Sequence, residues 1–470
     1  MRKLTLLGML LLSACAVGPN YRSPAPLAPA DSRLTAADQN PAVTADAVPN
    51  AWWRLFEDSD LDRLIEKALV RNKDVGIAAA NLRHARALLL EAGAGRLPVT
   101  DVNARATRGR EAPNQGGTGK VGDFYLAGFD ASYEVDLFGG ISRSIEASKA
   151  DVGAAIAQLD AARVSIAAET ARTYVDACGF ASQAEVARQT ARLQHQTLDL
   201  TQRLLSAGRT SQREVDQATV LEEQANAQVA DFEAERRAAL YALAVLTGDT
   251  PANVDNAAAA CIAVPVIRQP LPVGDGQTLL ARRPDVRAAE RKLAADTARI
   301  GVTTAALYPT ITLLGSVSIG AGHIGDVGKK QGFSWSLGPL ISWNFPFASA
   351  ARARVVQSRA IAEGSLAAFD KTVLTALQEA QQALARLAGA LDRETALTKA
   401  REAADHAAFL SSKRFDYGAD NFLNLLDAQR TAAAARGAQA AADVDRAEAQ
   451  IALFKALGGG WQGAGTDTLK

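Results

Sequence analysis

Residues 333–347 read Phe333-Ser334-Trp335-Ser336-Leu337-Gly338-Pro339-Leu340-Ile341-Ser342-Trp343-Asn344-Phe345-Pro346-Phe347. Phe333, Trp335, Leu337, Pro339, Ile341, Trp343, Phe345 and Phe347 all fall on odd positions, with Ser334, Ser336, Gly338, Ser342 and Asn344 between them. A period of two predicts a β-strand with one apolar face and one mostly small or polar face. An earlier stretch does the same: Tyr125, Ala127, Phe129, Ala131, Tyr133, Val135 and Leu137 run against Asp123, Gly128, Asp130, Ser132, Glu134 and Asp136. Carboxylates on the alternate face suit a wet lumen better than a packed core. Tyr125 and Tyr133, and likewise Trp335 and Trp343, stand roughly 26 Å apart along a strand, about the spacing of two membrane girdles once the strand is tilted. Ile311, Leu313, Val317 and Ile319 supply a third strand, and residues 99–108 a weaker fourth. A soluble two-hairpin sheet shares this alternation, because barrel signals are weak per segment.

Four strands cannot close a barrel, and an open edge in lipid leaves backbone N–H and C=O groups unpaired at several kcal/mol each. A membrane-spanning reading therefore requires oligomerisation. Two, three or four copies would each give an even strand count, so periodicity alone leaves the number open.

The chain repeats itself at an offset of about 210 positions. Tyr125 and Tyr133 return as Trp335 and Trp343, Gly208 as Gly418, and Gly248 as Gly458; Leu97-Pro98 returns as Tyr308-Pro309, one residue out of step. Each half reads helix, two strands, long helix, tight turn, helix. Residues 141–206 lack Pro and place Ile145, Val152, Leu159, Ile166, Thr173 and Phe180 at heptad intervals. Residues 351–415 also lack Pro, with Val373, Leu377, Ala380, Leu384, Leu387 and Leu391 alternating by four and three. Both patterns predict left-handed coiled-coil rods of roughly 100 Å, on the scale of a periplasmic crossing. Gly208 is the expected stop of the first rod, and Ser211 with Glu214 forms a capping box that restarts the chain. Gly418 ends the second rod, with Asp420 as the expected N-cap.

The expected layout is a signal peptide over 1–14 and a lipidated extended segment over 15–60. A first repeat over 61–248 holds a helix, a hairpin at about 99–137, the long helix 141–206 and a return helix 211–247. A Pro- and Gly-rich crossover, 249–276, leads to a second repeat over 277–460, with a helix opened by Pro284-Asp285, a hairpin at about 310–347, a long helix 351–415 and a return helix 420–457. Residues 461–470 read as a mobile tail.

The N-terminus names the compartment. Arg2 and Lys3 precede an apolar run, Leu4 to Leu12, too short to remain a transmembrane helix, and Leu12-Ser13-Ala14-Cys15 resembles the bacterial lipobox. Cys15 would carry diacylglycerol and an acyl chain after cleavage, and Ala16 rather than Asp after it implies onward export to the outer membrane. Of 51 basic residues, cleavage removes Arg2 and Lys3, leaving 49 against 51 acidic. That balance offers no nucleic-acid footprint. Cys178 and Cys261 could pair in an oxidising compartment, but one sits in helical sequence and the other in a loop; we read them as two separate buried thiols.

Enzyme signatures are weak. His84, His195, His323 and His406 show no metal-ligand spacing, and Gly320-x-Gly322-x-x-Gly325 is followed by no amphipathic helix. Gly119-Lys120 lacks the rest of a phosphate loop. No catalytic, cofactor or metal residues are expected. A purely structural coiled-coil lipoprotein would leave the hairpins unexplained.

Several stretches carry a family resemblance. Cys15-Ala16-Val17-Gly18-Pro19-Asn20-Tyr21 resembles the mature start of the outer membrane factor lipoproteins, the TolC/OprM-like, NodT-type channels. Trp52-Trp53, Leu61-Asp62 with Ala68-Leu69 and Asn72, Arg282-Arg283-Pro284-Asp285 with Ala289-Glu290, and the run from Gly418 through Asp420-Asn421-Phe422-Leu423 and Leu425-Leu426-Asp427-Ala428-Gln429-Arg430 match its other signatures. Phe345-Pro346-Phe347-Ala348-Ser349-Ala350 departs from an Asp-Gly-Gly-Arg-like stretch common in relatives.

The resemblance implies a mainly α fold with β: a homotrimer sharing one twelve-stranded barrel, continued by a coiled-coil α-barrel in the periplasm. It implies a passive outer-membrane exit duct of a tripartite efflux pump for drugs or small toxic compounds. The partners would be outer-membrane lipid, a periplasmic adaptor and an inner-membrane pump of the proton-driven resistance-nodulation-division class. A type I protein secretion conduit is the runner-up. The match also implies that Leu423 and Asp427, which share one face of the return helix, line the periplasmic constriction. Glu214 and Asp216 at the other turn are weaker gate candidates.

Overall fold

Heptad and period-two patterns separate cleanly in the three-dimensional structure. The computed structural model describes residues 16–25, 33–38, 40–110, 120–343, 345 and 349–459. Cys15, the signal sequence and the tail 461–470 lie outside the described residues, as do Asn344 and residues 346–348 of the departing stretch. The main helices are α1 (Ser59–Arg71), α2 (Lys73–Ala94), α3 (Gly140–Ser206), α4 (Gln212–Leu246), α5 (Gly276–Arg282), α6 (Pro284–Ala305), α7 (Ser349–Asp416) and α8 (Phe422–Ala456). The main strands are β1 (Val99–Arg110), β2 (Val121–Val135), β3 (Thr310–Ala321) and β4 (Phe333–Ser342).

The chain divides into two compact units. The first, built on Asn81–Ile156 and Ala288–Asp370, contains all four main strands. They form one antiparallel sheet in the order β1-β2-β3-β4, so β1 and β4 are its edges. In the same unit a strap of residues 16–21 lies against the foot of the sheet. Val17 N–H donates to the Phe138 carbonyl at 3.1 Å, and the buried Arg143 side chain donates to the Val17 and Gly18 carbonyls and to Asn20 Oδ1 at 2.6 Å. Gly18, at φ +90°, sits against Gly301, where a Cβ would come within 2.5 Å of the Gly301 Cα. Only glycine permits that combination of left-handed φ and close backbone approach.

The second unit is built on Ala157–Arg287 with residues on either side. Its core joins the middle of α3 and α7 to the end of α8 and to α1. Leu61, Leu64, Ile65, Ala68 and Leu69 line one face of α1 at helical spacing, and Asp58 caps the helix by accepting from the Asp60 and Leu61 amides. Trp52 is fully buried and stacks on Phe454 with ring centroids 5.1 Å apart. Burial of one such side chain is worth about 1.5–3 kcal/mol. Thr173, Leu159 and Ile166 of the α3 heptads are buried, as are Ala380, Leu384 and Leu387 of α7. In the crossover, Leu271–Pro272 pairs in parallel with Val43–Thr44.

The two cysteines overturn the expectation of separate thiols. Cys178 and Cys261 are disulfide-bonded, with Cα atoms 5.1 Å apart across a sequence separation of 83. The crossover folds back over α3, and the short helix Asn256–Ala260 delivers Cys261 to the buried Cys178 as its C-cap residue. Proximity across so long a separation is a tertiary fact with no local signal.

Candidate functional site

The ladder assigns each face of the sheet. Odd residues of β2, β3 and β4 share a face with even residues of β1, because Val102 lies opposite Phe129, Phe129 opposite Val317, and Val317 opposite Trp335. This face also carries Tyr133, Leu313, Ile311 and Ile341, and Trp335 and Ile341 are 69% and 66% exposed. Bulky apolar side chains left this open call for a non-aqueous neighbour. The other face carries Asp101, Asn103, Asp130, Ser132, Glu134, Ser316, Ser318, Ser334 and Ser336. Asn103 donates to Asp130 at 2.6 Å, and two serine pairs, Ser316–Ser336 and Ser318–Ser334, are bonded at 2.8 Å. Cross-strand polar pairs of this kind build a hydrophilic wall.

Two residues leave the polar face on which the sequence reading put them. Asp123 shares the Tyr125 face and forms an ion pair with Arg108 at 3.5 Å, near the end of the β1–β2 hairpin. Asp136 follows the last residue of β2 and accepts hydrogen bonds from the Ile141 and Ser142 amides at 3.0 and 2.8 Å. A carboxylate on the free N–H groups of a helix start is a cap, so Asp136 launches α3. Trp343 stands just past β4, where its Nε1 donates to the Leu307 carbonyl at 3.1 Å and its ring stacks on Phe345. Trp335 is level with Phe129, midway in the ladder between Tyr125 and Tyr133.

The far turns have matching geometry. Gly208 and Gly418 both have φ +68°. Gly208 N–H donates to Leu205 and Arg209 N–H to Leu204; Gly418 N–H donates to Phe415 and Ala419 N–H to Arg414. This pairing of two left-over amides with the last carbonyls is the Schellman ending. The Glu214 carboxylate accepts from the Thr210 hydroxyl and from the amide and hydroxyl of Ser211, closing the capping box. Those donors, Thr210 first, hold its pKa down to about 2. At the second turn the N-cap is Asn421, one residue later than expected: its side chain accepts from the Asn424 amide at 2.8 Å. Asp420 instead accepts from the Asn424 carboxamide at 2.6 Å, which lowers its pKa.

Beyond that turn, α8 buries Phe422, Leu425, Leu426 and Gln429, and Gln429 exchanges hydrogen bonds with Thr197 of α3. Leu423 and Asp427 lie on the opposite, exposed side. Asp427 has no hydrogen bond or ion pair among the described residues. Asp216 is held by Gln212 at 2.9 Å.

The comparisons with known proteins bear on this geometry. The family model described as outer membrane efflux protein matches residues 64–249 and again 276–459. The chain belongs to the outer membrane efflux protein family. It is 30% identical over 453 residues to Nodulation protein T of Rhizobium leguminosarum bv. viciae, covering 96% of this chain and 92% of that protein. It is 31% identical over 469 residues to the pyoverdine export outer membrane protein OpmQ of Pseudomonas aeruginosa, covering 96% of each. Among solved structures, the outer-membrane channel OprN superposes with a TM-score of 0.89 at 35% identity, over 95% of this chain and 100% of that one. The protein is an outer membrane channel component of an efflux pump, seated in the outer membrane and extending into the periplasm. A disulfide-bonded Cys178–Cys261 pair fits that oxidising compartment.

Sequence reasoning missed the Arg143 clamp on the strap and the Asp136 cap. The only available signal was Gly18-Pro19 shortly after Cys15, which names a turn but not its partner.

Proposed function

We propose that three copies of this chain close a single twelve-stranded barrel that serves as the passive exit duct of a tripartite pump. The observation that carries this reading is the open four-stranded sheet, apolar on one face and mostly polar on the other, whose edge strands β1 and β4 pair with no further strand among the described residues. In lipid each unpaired edge group costs several kcal/mol, so edges must meet edges of other copies. Threefold closure is favoured over other counts by the family resemblance. The matched halves, seen in the twin Schellman turns and in the two segments that fit one family description, support an ancestral duplication. Cys15 would anchor the chain through covalent diacylglycerol and an acyl group, next to the clamped strap.

A periplasmic adaptor and an inner-membrane, proton-driven pump would deliver drugs or other small toxic compounds to the duct, and Leu423 and Asp427 would ring its periplasmic constriction. Asp427 is exposed and has no partner among the described residues, which supports that ring, since a merely structural Asp would bond a neighbouring Arg. Native mass measurement of the detergent-extracted protein is expected to give three copies per particle. A stable monomer in lipid would remove the shared barrel.

A further inference from the structure

Alongside α3, α4 and α8 of the second unit runs a cleft of about 430 Å³, inside the ~300–1,000 Å³ range of small-molecule sites. We propose that this cleft binds an anionic aromatic small molecule that carries an amide-like N–H. The three parts of that ligand answer three features of the lining. Val186, Leu221 and Phe232 offer an apolar wall to a ring. Gln194 lines the cleft at 2% exposure, and its carboxamide oxygen has no hydrogen-bond partner among the described residues. A buried acceptor left without a donor is costly, and a turn of the Gln194 side chain that opened its oxygen to the cleft would let an incoming N–H satisfy it. Arg430 supplies positive charge at the same lining, makes no ion pair among the described residues, and is not countered there by any Asp or Glu. The cleft therefore selects against cations.

One glycine makes the test clean. A Cβ built at Gly437, which also lines the cleft, would meet no atom within 4 Å, so a side chain added there starts in open space. The probe is dansylglycine, which unites an aromatic body, a sulfonamide N–H and a carboxylate; dansylcadaverine shares the fluorophore but is cationic. Both would be titrated into the assembled, detergent-purified protein, with micelle fluorescence subtracted.

Dansylglycine is expected to saturate at one equivalent per chain and dansylcadaverine to bind at least tenfold more weakly. Gly437→Leu should abolish the saturable signal, Gln194→Leu should weaken it several-fold, and Arg430→Gln should erase the preference between the two probes. A non-saturable signal, or one unchanged by Gly437→Leu, would overturn the assignment. So would the absence of binding in the assembled protein. Stoichiometry is read per chain, so failure of the threefold barrel would not mimic failure of the site.

Discussion

Leu423 and Asp427 sit one helical turn apart on the exposed side of the first turns of α8. Three copies around an axis would turn that pair into an apolar ring and a carboxylate ring, narrowing the duct and favouring cations while the carboxylates are ionised. Replacing both residues by alanine is expected to raise single-channel conductance in planar bilayers and to weaken cation selectivity. Unchanged values in a correctly assembled trimer would move Asp427 off the lumen. In the sheet, the register fixes which single substitutions matter. Val317 and Ser318 are neighbours, yet Val317 lies between Phe129 and Trp335 on the apolar face while Ser318 is bonded to Ser334 on the polar one. A charge on the lipid face near mid-depth costs ~2–4 kcal/mol, against little inside the barrel. Val317→Arg should therefore reduce the yield of assembled protein severalfold more than Ser318→Arg, as measured on semi-native gels. Equal yields would contradict the facing.

At the scale of elements, the disulfide ties the crossover to α3. Its removal by Cys261→Ser with Cys178→Ser is expected to cost about 2–4 kcal/mol, seen as a lower midpoint in urea unfolding. A second link, between α3 and α8, depends on pH. Burial first, and then the hydrogen bond and charge of Asp176, push the Glu448 carboxyl up to about 7; Arg172, bonded to Asp176 at 2.9 Å and 3.9 Å from Glu448, opposes this. Glu169 and Asp445 add negative charge nearby. The folded chain thus keeps a proton that the unfolded chain has lost above about pH 4.5, so this contribution to stability falls as pH rises from about 4.5 to about 7. Glu448→Gln mimics the protonated form. It is expected to raise the unfolding midpoint at pH 8 and to narrow the gap between pH 5 and pH 8. The elements themselves were legible in the sequence because each rests on a local period. The heptads from Ile145 to Phe180 lie within α3, and the odd-position run from Phe333 to Ile341 is β4. Exceptions arose where the deciding partner is distant or the pattern ends: the mate of Cys178 lies 83 residues on, and Asp136 falls where strand gives way to helix. Face assignment of Asp123 failed for a different reason, since the carboxylate type suggested a lumen while its odd position, paired opposite Arg108, holds it on the other side.

For the whole molecule the question is how the sheet ends. β1 and β4 are its two edges, and adjacent strands alternate in direction from β1 to β4. The β1 of one copy would therefore run antiparallel to the β4 of the next, and closure would continue the same ladder without a parallel seam. Thr107 near the end of β1 and Ser334 near the start of β4 both fall on the polar face, at the end of the sheet where each hairpin turns. Cysteines placed at both positions and treated with a short thiol cross-linker should give covalent dimers and trimers from intact outer membranes, whereas either single cysteine should give none of the trimer. The same preparation checks the anchor, because mass spectrometry of the N-terminal peptide should find Cys15 carrying diacylglycerol and an acyl chain. Cys15→Ser should remove that mass. Assembly should survive the loss if edge pairing supplies most of the stability, since acyl chains contribute membrane affinity at ~0.8 kcal/mol per buried CH₂ but pair no backbone group. Edge cross-links in the wild-type background that vanish with Cys15→Ser would reverse that order and make the lipid, rather than the sheet, the step on which closure waits.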